Sequence, residues 1–221
     1  MNLKKILKVL GIIILVVILL LVIHTIRNFI IVRGLQGNIA KYINSTNYHI
    51  KSFTKEQSGV EMKVDFYVKD GKNVSFVERN MNGDISKITT FSQKDKNGFN
   101  TYIENGVSKI ALLEKDGLSI REEIYNGVES DSKWHTVISS FFAHIRSEKV
   151  NGIDCYVVDN FPSYTNLVST GKNEYYIEKD TGLMIKSVTN DIISEREYEF
   201  NNVDDSIFLE PDISQYVVKE N

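Results

Sequence analysis

An uninterrupted apolar run opens the chain: residues 9–26 contain no charged side chain. At about 1.5 Å of rise per residue, a helix over this run spans roughly 27 Å, close to the hydrocarbon thickness of a bilayer. Lys4, Lys5 and Lys8 precede the run, and basic flanks of a membrane helix favour the cytoplasm. We therefore predict a short basic cytoplasmic segment over residues 1–8, a transmembrane signal anchor over 9–26 and an extracytoplasmic remainder, as in a single-pass protein of the cell membrane.

A cleaved signal peptide is the alternative interpretation of this pattern. Such a peptide usually has a shorter apolar core, followed by small residues of the A-x-A type. The first alanine here is Ala40, and the residues from His24 to Phe29 suit cleavage poorly. The sequence therefore favours an uncleaved anchor over cleavage near Gly34.

The apolar spacing stays nearly helical beyond the run, as far as Tyr42–Asn44. This pattern predicts a juxtamembrane helix over residues 27–45, either continuous or broken at Gly34 or Gly37. The apolar positions that carry it are Phe29, Ile30, Ile31, Leu35, Ile39 and Ile43.

From Tyr48 onward the apolar period changes from 3.6 residues to two, as a strand requires. In residues 60–69, Val, Met and Phe alternate with mostly charged side chains, so that one face of the strand is dry and the other wet. Asp70-Gly71 follows, and this pair is a strong hairpin signal because both positions tolerate positive φ. Similar pairs recur further along the chain: Asn82-Gly83, Asn97-Gly98, Asn105-Gly106, Asp116-Gly117 and Asn126-Gly127.

This rhythm predicts an antiparallel meander rather than βαβ units. A long sheet of consecutive hairpins must curl, and its apolar face must be covered. We therefore expect a mainly β fold with helices (α+β). In it, the N-terminal transmembrane helix is followed by a curled antiparallel sheet, an incomplete barrel, wrapped around an amphipathic helix. The sheet domain should occupy residues 46–221.

Residues 132–145 supply the predicted amphipathic helix. Apolar side chains recur there at i, i+3, i+4, i+7, i+8 and i+11, on one continuous stripe. Ser130, Asp131 and Ser132 are candidates for its N-cap. We expect the stripe to lie on the apolar face of the sheet; its members are Trp134, Val137, Ile138, Phe141, Phe142 and Ile145.

Charge and cysteine content narrow the function classes. Residues 34–221 carry 21 basic and 29 acidic side chains, a formal net charge of −8, which opposes binding to nucleic acid. Cys155 is the only cysteine, so that no internal disulfide can form. Two prolines and abundant Asn, Lys and Ile suggest a bacterium with an AT-rich genome.

Motifs of catalysis and of metal binding are absent from the sequence. It contains no H-E-x-x-H, no C-x-x-C, no G-x-S-x-G and no G-x-G-x-x-G. S-x-x-K occurs three times, as chance would give in a chain rich in Ser and Lys. Asp204-Asp205 is interpreted as a polar turn before a strand rather than as a catalytic pair. We therefore predict no metal, no cofactor and no enzymatic activity.

Three segments near the C-terminus resemble a known family in their order and spacing. Val150–Val158 is similar to a strand of the type K-V-N-G-x-x-C/A-Y-x-V, and Tyr176–Lys186 to a hairpin of the type W-I-D-x-x-T-G-L-P-L-K. Tyr198–Phe208 resembles the closing strand Y-x-x-F-x-x-V-D-D-S-x-F, and Pro211-Asp212 follows it. Over residues 148–212 the chain thus resembles the outer-membrane lipoprotein carrier (LolA-like) superfamily and its relatives.

This resemblance implies an incomplete antiparallel barrel that curls around helices and encloses an apolar cavity. Relatives use the cavity to hold acyl chains of lipoproteins, or to sense them while regulating an envelope-stress anti-sigma factor. In spore-forming bacteria a similar domain acts as a lipoprotein partner in germination. The soluble carrier shuttles between two membranes, which a tethered chain does not fit. The arginine-gated lid of the carrier has no matching residue here, so that no ligand residue is carried over.

The apolar stripe of residues 132–145 has two alternative roles. It either fills the core of the domain or lines a ligand cavity, where small apolar ligands tend to sit. The connection over residues 160–173 is either a lid over such a cavity or an ordinary surface loop. The candidate ligand-binding residues are Trp134, Phe141, Phe142, Phe66, Phe76 and Tyr156.

These observations predict a membrane-anchored module of the bacterial envelope that binds a lipid or the acyl chain of a lipoprotein. Its candidate partners are the membrane, a lipid or acyl chain and an envelope protein. The alternative is a non-enzymatic regulatory or interaction protein of the envelope, of the stress-sensing or spore-germination type, which acts through protein–protein contacts.

Overall fold

The computed structural model describes residues 3–93, 98–106, 108–114, 124–128, 132–159, 173–190 and 192–220. In chain order, the helices and strands in these ranges are α1 (Leu3–Ile39), β1 (Asn47–Lys55), β2 (Val60–Lys69), β3 (Lys72–Met81), β4 (Asp84–Gln93), β5 (Phe99–Asn105), β6 (Ser108–Glu114), α2 (Lys133–Phe142), β7 (His144–Val150), β8 (Ile153–Asp159), β9 (Asn173–Glu178), β10 (Met184–Thr189), β11 (Ile192–Phe200) and β12 (Val217–Glu220). Two short 3-10 helices, Asp205–Phe208 and Ile213–Gln215, lie between β11 and β12. The predicted fold class is confirmed: it is α+β, with a long apolar N-terminal helix, a second helix and a mostly antiparallel sheet.

The chain divides into two compact units, each made of two separate stretches. The first unit consists of Met1–Ala40 and Tyr125–Leu183, and the second of Lys41–Ile124 and Met184–Asn221. The predicted sheet domain, residues 46–221, is thus divided between the two units. The first unit holds α1, α2 and β7 to β9, and the second holds the remaining strands.

α1 is one continuous helix, and neither Gly34 nor Gly37 breaks it. Within the described ranges, it is the one helix that is long and apolar enough to cross a membrane, as an anchor or a signal sequence would. The side chains of residues 5–23 are all exposed, as those of a helix surrounded by lipid would be. A buried stripe then begins and follows helical spacing; it consists of Asn28, Val32, Leu35 and Ile39, each at most 2% exposed.

The core of the first unit therefore includes the end of α1. Val32 and Leu35 pack in one cluster with buried residues from the segment 124–128 and from β7, β8 and β9. The three strands pair antiparallel in the order β9-β8-β7. The helix that carries the apolar run is thus also an element of the folded unit, with no linker between the two.

Gly152 and Gly182, in the two hairpin loops of the family-like segments, are required for different physical reasons. Asn151 and Gly152 join β7 to β8 with φ of 49° and 86°, as the Asn-Gly signal requires. Gly182, with φ of 73°, lies against the backbone of α1, where an added Cβ would overlap the carbonyl oxygen of Leu35. The side-chain amide of Asn38 donates to the carbonyl oxygen of Lys179 in the same loop, at 2.9 Å. This loop therefore fixes the end of α1.

The second unit contains the predicted meander. Its strands lie in the order β12-β6-β5-β4-β3-β2-β1-β11-β10, and β1 to β6 follow one another as antiparallel hairpins. The hairpin turns at Asp70-Gly71 and Asn82-Gly83 have positive φ at both positions and are confirmed. β12 is the exception to the antiparallel pattern, because it pairs parallel to β6.

The other predicted turns have different outcomes. Asn97 of the pair Asn97-Gly98, and both residues of Asp116-Gly117, lie outside the described residues. Asn105-Gly106 lies between β5 and β6, with a positive φ of 57° at Gly106 alone. Asn126-Gly127 lies in the non-strand segment 125–128 of the first unit, where it turns no described hairpin. In that segment the side-chain oxygen of Asn126 accepts the backbone N–H of Val128 at 3.1 Å, a local bond typical of Asn in loops.

The sheet of the second unit carries apolar side chains on both faces. Phe66, 1% exposed, lies on the predicted dry face of β2. The opposite face holds a row of rings across the strands, whose neighbouring centroids are 3.8 to 6.5 Å apart. Ile207 and Phe208 pack against this row and cover it. The expectation that this face is exposed to water is therefore corrected. The row consists of His49, Tyr67, Phe76, Phe91, Tyr102 and Tyr216.

Candidate functional site

α2 forms where the spacing predicts a helix, and it has the predicted cap. The side chain of Ser132 accepts the backbone N–H of His135 at 3.1 Å, which satisfies one of the free donors of the first turn. The helix ends at Phe142, because Ala143 has an extended backbone. Ile145, which the pattern places on the helix, belongs instead to β7 and is buried there at 4% exposure.

The apolar stripe of α2 faces outward, which corrects the expectation that it lies on the sheet. Trp134 is 78% exposed, Ile138 56% and Phe142 60%. The buried side consists of Thr136, Ser139 and Ser140, which are 0% exposed. Small hydroxyl side chains permit a close approach, and the hydroxyl of Ser140 donates to the carbonyl oxygen of Thr136 within the helix. The polar side of α2 can therefore pack against the rest of the unit while its hydroxyl groups keep hydrogen-bond partners.

A set of polar contacts joins the end of α2 to α1. The Asn28 side-chain amide, fully buried, donates to the carbonyl oxygens of Ser140 at 3.1 Å and Ala143 at 2.7 Å. These are carbonyls of the last helical turn and the cap, which lack partners within a helix. The Arg27 guanidinium donates to the carbonyl oxygen of Ile145 at 3.2 Å, and a cation near a helix C-terminus is favourable. We call these contacts the α1–α2 junction.

His24 extends the junction towards the apolar run. Its Nε2 atom is 3.2 Å from the carbonyl oxygen of Ala143 and 3.0 Å from the amide nitrogen of Asn28. A protonated Nε2 donates to the carbonyl oxygen of Ala143 and leaves both hydrogens of the Asn28 amide to the two carbonyl oxygens, whereas an unprotonated Nε2 accepts from the amide only in place of one of them. Sequence reasoning missed this junction, although the polar residues His24, Arg27 and Asn28 stand at and just beyond the end of the apolar run with the i, i+3, i+4 spacing of one helix side.

An apolar groove lies directly beside the junction. It has a volume of about 320 Å³ and is lined by Ile18, Leu21, Val22, Thr25, Ile26 and Phe141. Thr25 contributes the only hydroxyl in this lining, and that hydroxyl donates to the carbonyl oxygen of Leu21 at 2.8 Å. The groove therefore offers hydrocarbon contacts and no free polar group, so that it suits an apolar chain.

The structure does not bring the six candidate ligand residues to one place. Trp134, Phe141 and Phe142 share α2, where the rings of the two phenylalanines are 5.0 Å apart. Phe66 and Phe76 lie on opposite faces of their sheet, because Phe66 pairs with Ser75, the neighbour of Phe76. These two side chains cannot line the same cavity.

Tyr156 and the predicted lid complete the set of candidates. Tyr156 is half-buried against the core of the first unit, with the ammonium of Lys179 at 4.7 Å from its ring centroid. Residues 160–172, nearly all of the predicted lid, lie outside the described residues. Of the candidates, Phe141 alone contacts the apolar groove.

A cluster of paired charges lies elsewhere in the first unit. The Arg146 guanidinium contacts Asp159 at 2.7 Å and Glu174 at 3.5 Å. Burial, followed by the hydrogen bond to Glu174, raises the pKa of Tyr176 to about 12. Among the residues that the structure describes, no group of three or more His, Cys, Asp or Glu side chains could hold a metal ion. The absence of catalytic and cofactor chemistry stays a prediction.

Comparison with known proteins gives distant similarities. No protein-family model matches the chain, and no curated protein does. An uncharacterized conserved protein from Thermus thermophilus aligns with a TM-score of 0.48 at 11% identity, over 86% of this chain and 98% of that one. A DUF1329 family protein from Desulfovibrio piger aligns with a TM-score of 0.31 at 11% identity, over 84% and 97%. Scores this low identify neither family nor function, and the LolA-like resemblance stays a prediction.

Proposed function

We propose that this protein is a membrane-anchored extracytoplasmic module of the bacterial envelope that holds an acyl chain of a lipid or lipoprotein at the membrane surface. The single observation that carries this proposal is the apolar groove between α1 and Phe141. The family-like segments of β7 to β11 agree with it, because relatives of the carrier superfamily hold acyl chains.

The exposure of α1 supports the proposed anchor. Nineteen consecutive residues, 5–23, are exposed, and the run over 9–26 has the length of a bilayer span. In water this surface would be a strong aggregation hazard, whereas in a bilayer it contacts lipid tails of the same apolar character. The three lysines ahead of the run favour a cytoplasmic N-terminus, which places the folded units on the other side.

The groove lies at the outer end of that span. Its lining residues from Ile18 to Ile26 occupy the last part of the apolar run, over about 12 Å of helix. A volume of about 320 Å³ is near the lower limit for pockets that enclose small ligands, which typically measure about 300–1,000 Å³. The groove therefore fits part of one hydrocarbon chain rather than a whole lipid.

Lipid retention by the full chain tests the proposal. The protein is extracted from membranes in mild detergent, exchanged extensively and examined by native mass spectrometry, with identification of any lipid adduct. Val22→Trp fills the groove, while Leu19→Trp adds the same side chain to an exposed position of α1 outside the groove lining. We expect a stoichiometric adduct in the unmodified chain and in Leu19→Trp, and its loss in Val22→Trp.

Two results would contradict the proposal. If the unmodified chain carries no lipid adduct, the result would favour the alternative, a regulatory protein that acts through a protein partner. Equal retention in Val22→Trp and Leu19→Trp would show that lipid merely coats the anchor and does not occupy the groove.

A further inference from the structure

We propose that the outward face of α2, formed by Trp134, Ile138, Phe141 and Phe142, inserts into the interfacial region of the extracytoplasmic leaflet beside α1. The partner is the bilayer itself. The inference rests on one part of the proposed function, that α1 spans the membrane, and is independent of whether the groove retains a lipid.

α2 is amphipathic, but its orientation is the opposite of that of a helix on a water-exposed surface. Its hydroxyl side chains are fully buried, and four large apolar side chains are exposed by 42 to 78%. A helix on an aqueous surface turns its apolar stripe inward. A contiguous exposed apolar surface on a folded unit marks a binding surface, for protein or for membrane.

The outward face of α2 is continuous with the apolar surface of α1. This continuity favours the membrane, rather than another protein, as the partner of the face. Phe141 lines the same groove as Leu21, Val22 and Ile26 of the apolar run, so that lipid around α1 also meets α2. The junction holds the end of α2 at Asn28, two residues beyond the run. A helix that lies in a membrane interface buries its apolar face by about 5–10 Å, which matches the position of Phe141 beside the last 12 Å or so of the span.

The side chains on this face are of kinds that suit a membrane–water interface. Tryptophan is enriched at membrane–water interfaces, where its apolar body and its polar N–H both find partners. Lys133, exposed at the first turn of α2, can keep its ammonium among headgroups while its stem contacts the apolar region. Within the outward face itself there is no charged side chain, so that insertion leaves no charge unsolvated.

Trp134 makes the test direct, because it is the only tryptophan in the chain. The full chain is reconstituted into phosphatidylcholine/phosphatidylglycerol vesicles, and its tryptophan emission is measured with two quenchers. Lipids brominated at successive acyl positions report contact with hydrocarbon, and acrylamide reports contact with water. We expect blue-shifted emission that is quenched most by bromines near the headgroup end of the chain and is protected from acrylamide.

Variants separate insertion from a general effect of charge. Ile138→Asp with Phe142→Asp should abolish quenching by brominated lipid and restore quenching by acrylamide. Leu209→Asp is the matched control, since Leu209 is 75% exposed and belongs to the second unit, and it should change neither signal. If the double variant loses its fold by circular dichroism, Ile138→Ser replaces it, with a partial loss of lipid quenching expected.

Two results would overturn the inference. Emission that acrylamide quenches and brominated lipid does not would place Trp134 in water. Protection from both quenchers that disappears on dilution of the protein in lipid would show a second copy of this chain on the face. Either result would leave the groove test with Val22→Trp unaffected, so that failure of this inference and failure of the proposed function are distinguishable.

Discussion

The side-chain amide of Asn28 donates to the carbonyl oxygen of Ala143 at 2.7 Å and so joins the end of α2 to α1. Asn28 is fully buried and stands two residues after the last residue of the apolar run. The helix that carries the apolar run thus becomes an internal element of a folded unit within one turn. If the run spans a membrane, as we propose, the same residues determine the fold of the first unit and its position at the bilayer.

Loss of the Asn28 amide should destabilise the first unit. Asn28→Ala removes the donor to two buried carbonyl oxygens, and each orphaned group costs roughly 1–3 kcal/mol. Because Ala143 also has His24 near its oxygen, we expect a loss of about 2 kcal/mol in the free energy of unfolding. Denaturation of the full chain in mild detergent micelles measures it.

Arg33→Ala is the control for this substitution. Arg33 is an exposed residue of the same helix, and its guanidinium bonds to Gln36 within the helix at 3.0 Å. It should change the unfolding free energy by at most about 0.5 kcal/mol. Equal effects of Asn28→Ala and Arg33→Ala would contradict a structural role for the junction.

Gly182 provides a second prediction, on the packing of α1 against the loop after β9. Gly182→Ala should cost about 1–2 kcal/mol for the positive φ and a further 1–3 or so for the overlap with the α1 backbone. Gly152→Ala is the matched control, because Gly152 also has positive φ and nothing lies within 4 Å of its added Cβ. The difference between their unfolding free energies isolates the close approach, and no difference would mean that α1 does not pack there.

The orientation of α2 gives a third prediction. Phe142→Ala should change the unfolding free energy in detergent by less than about 1 kcal/mol, since the ring is 60% exposed. Ile145→Ala removes a side chain that is 4% exposed and should cost about 2–5 kcal/mol. A larger loss for Phe142→Ala than for Ile145→Ala would restore the interpretation of the stripe as core.

These results show how far local sequence signals reach. The turn at Asp70-Gly71 and the cap at Ser132 were predictable, because each depends on the conformation of a few adjacent residues. The spacing of α2 shows that its two sides differ. It does not show which side meets protein, because a membrane accepts an apolar face as readily as a core does.

Features that depend on contacts distant in sequence were not predictable from local patterns. Phe66 and Phe76 belong to opposite faces, which only the register of β2 with β3 decides. The parallel pairing of β12 with β6 has no turn signal of its own. The Thr-Gly pair at Gly182 looks like ordinary hairpin chemistry until the backbone of α1 is placed against it.

A fourth prediction concerns pH and the cluster around Glu199 on β11. Hydrogen bonds from Lys51, at 2.8 Å, and then from His49 hold the pKa of Glu199 below its usual value of 4.5. A depressed carboxyl pKa adds stability above the unfolded-state value, and this contribution is lost as the pH falls through the folded-state value. Glu199→Gln should therefore lower the melting temperature at pH 7 and have less effect as the pH falls below 4.5.

Glu197→Gln is the control for this pH dependence. Glu197 is an exposed residue of the same strand, and Glu197→Gln removes one carboxylate charge while leaving Glu199 to accept from Lys51 and His49. Because Glu199 is itself half exposed, salt should reduce its effect. A Glu199→Gln effect that grows towards low pH would contradict the assigned sign.

The central claim is that α1 crosses the membrane and that both folded units lie on its extracytoplasmic side. The most direct test is labelling of intact cells with a membrane-impermeant maleimide. The native Cys155 is fully buried, and burial raises the pKa of its thiol, so that the unmodified chain should remain unlabelled. The account predicts labelling of Leu209→Cys in intact cells and of Lys5→Cys only after permeabilisation. Labelling of Lys5→Cys in intact cells, with Leu209→Cys protected until permeabilisation, would contradict it.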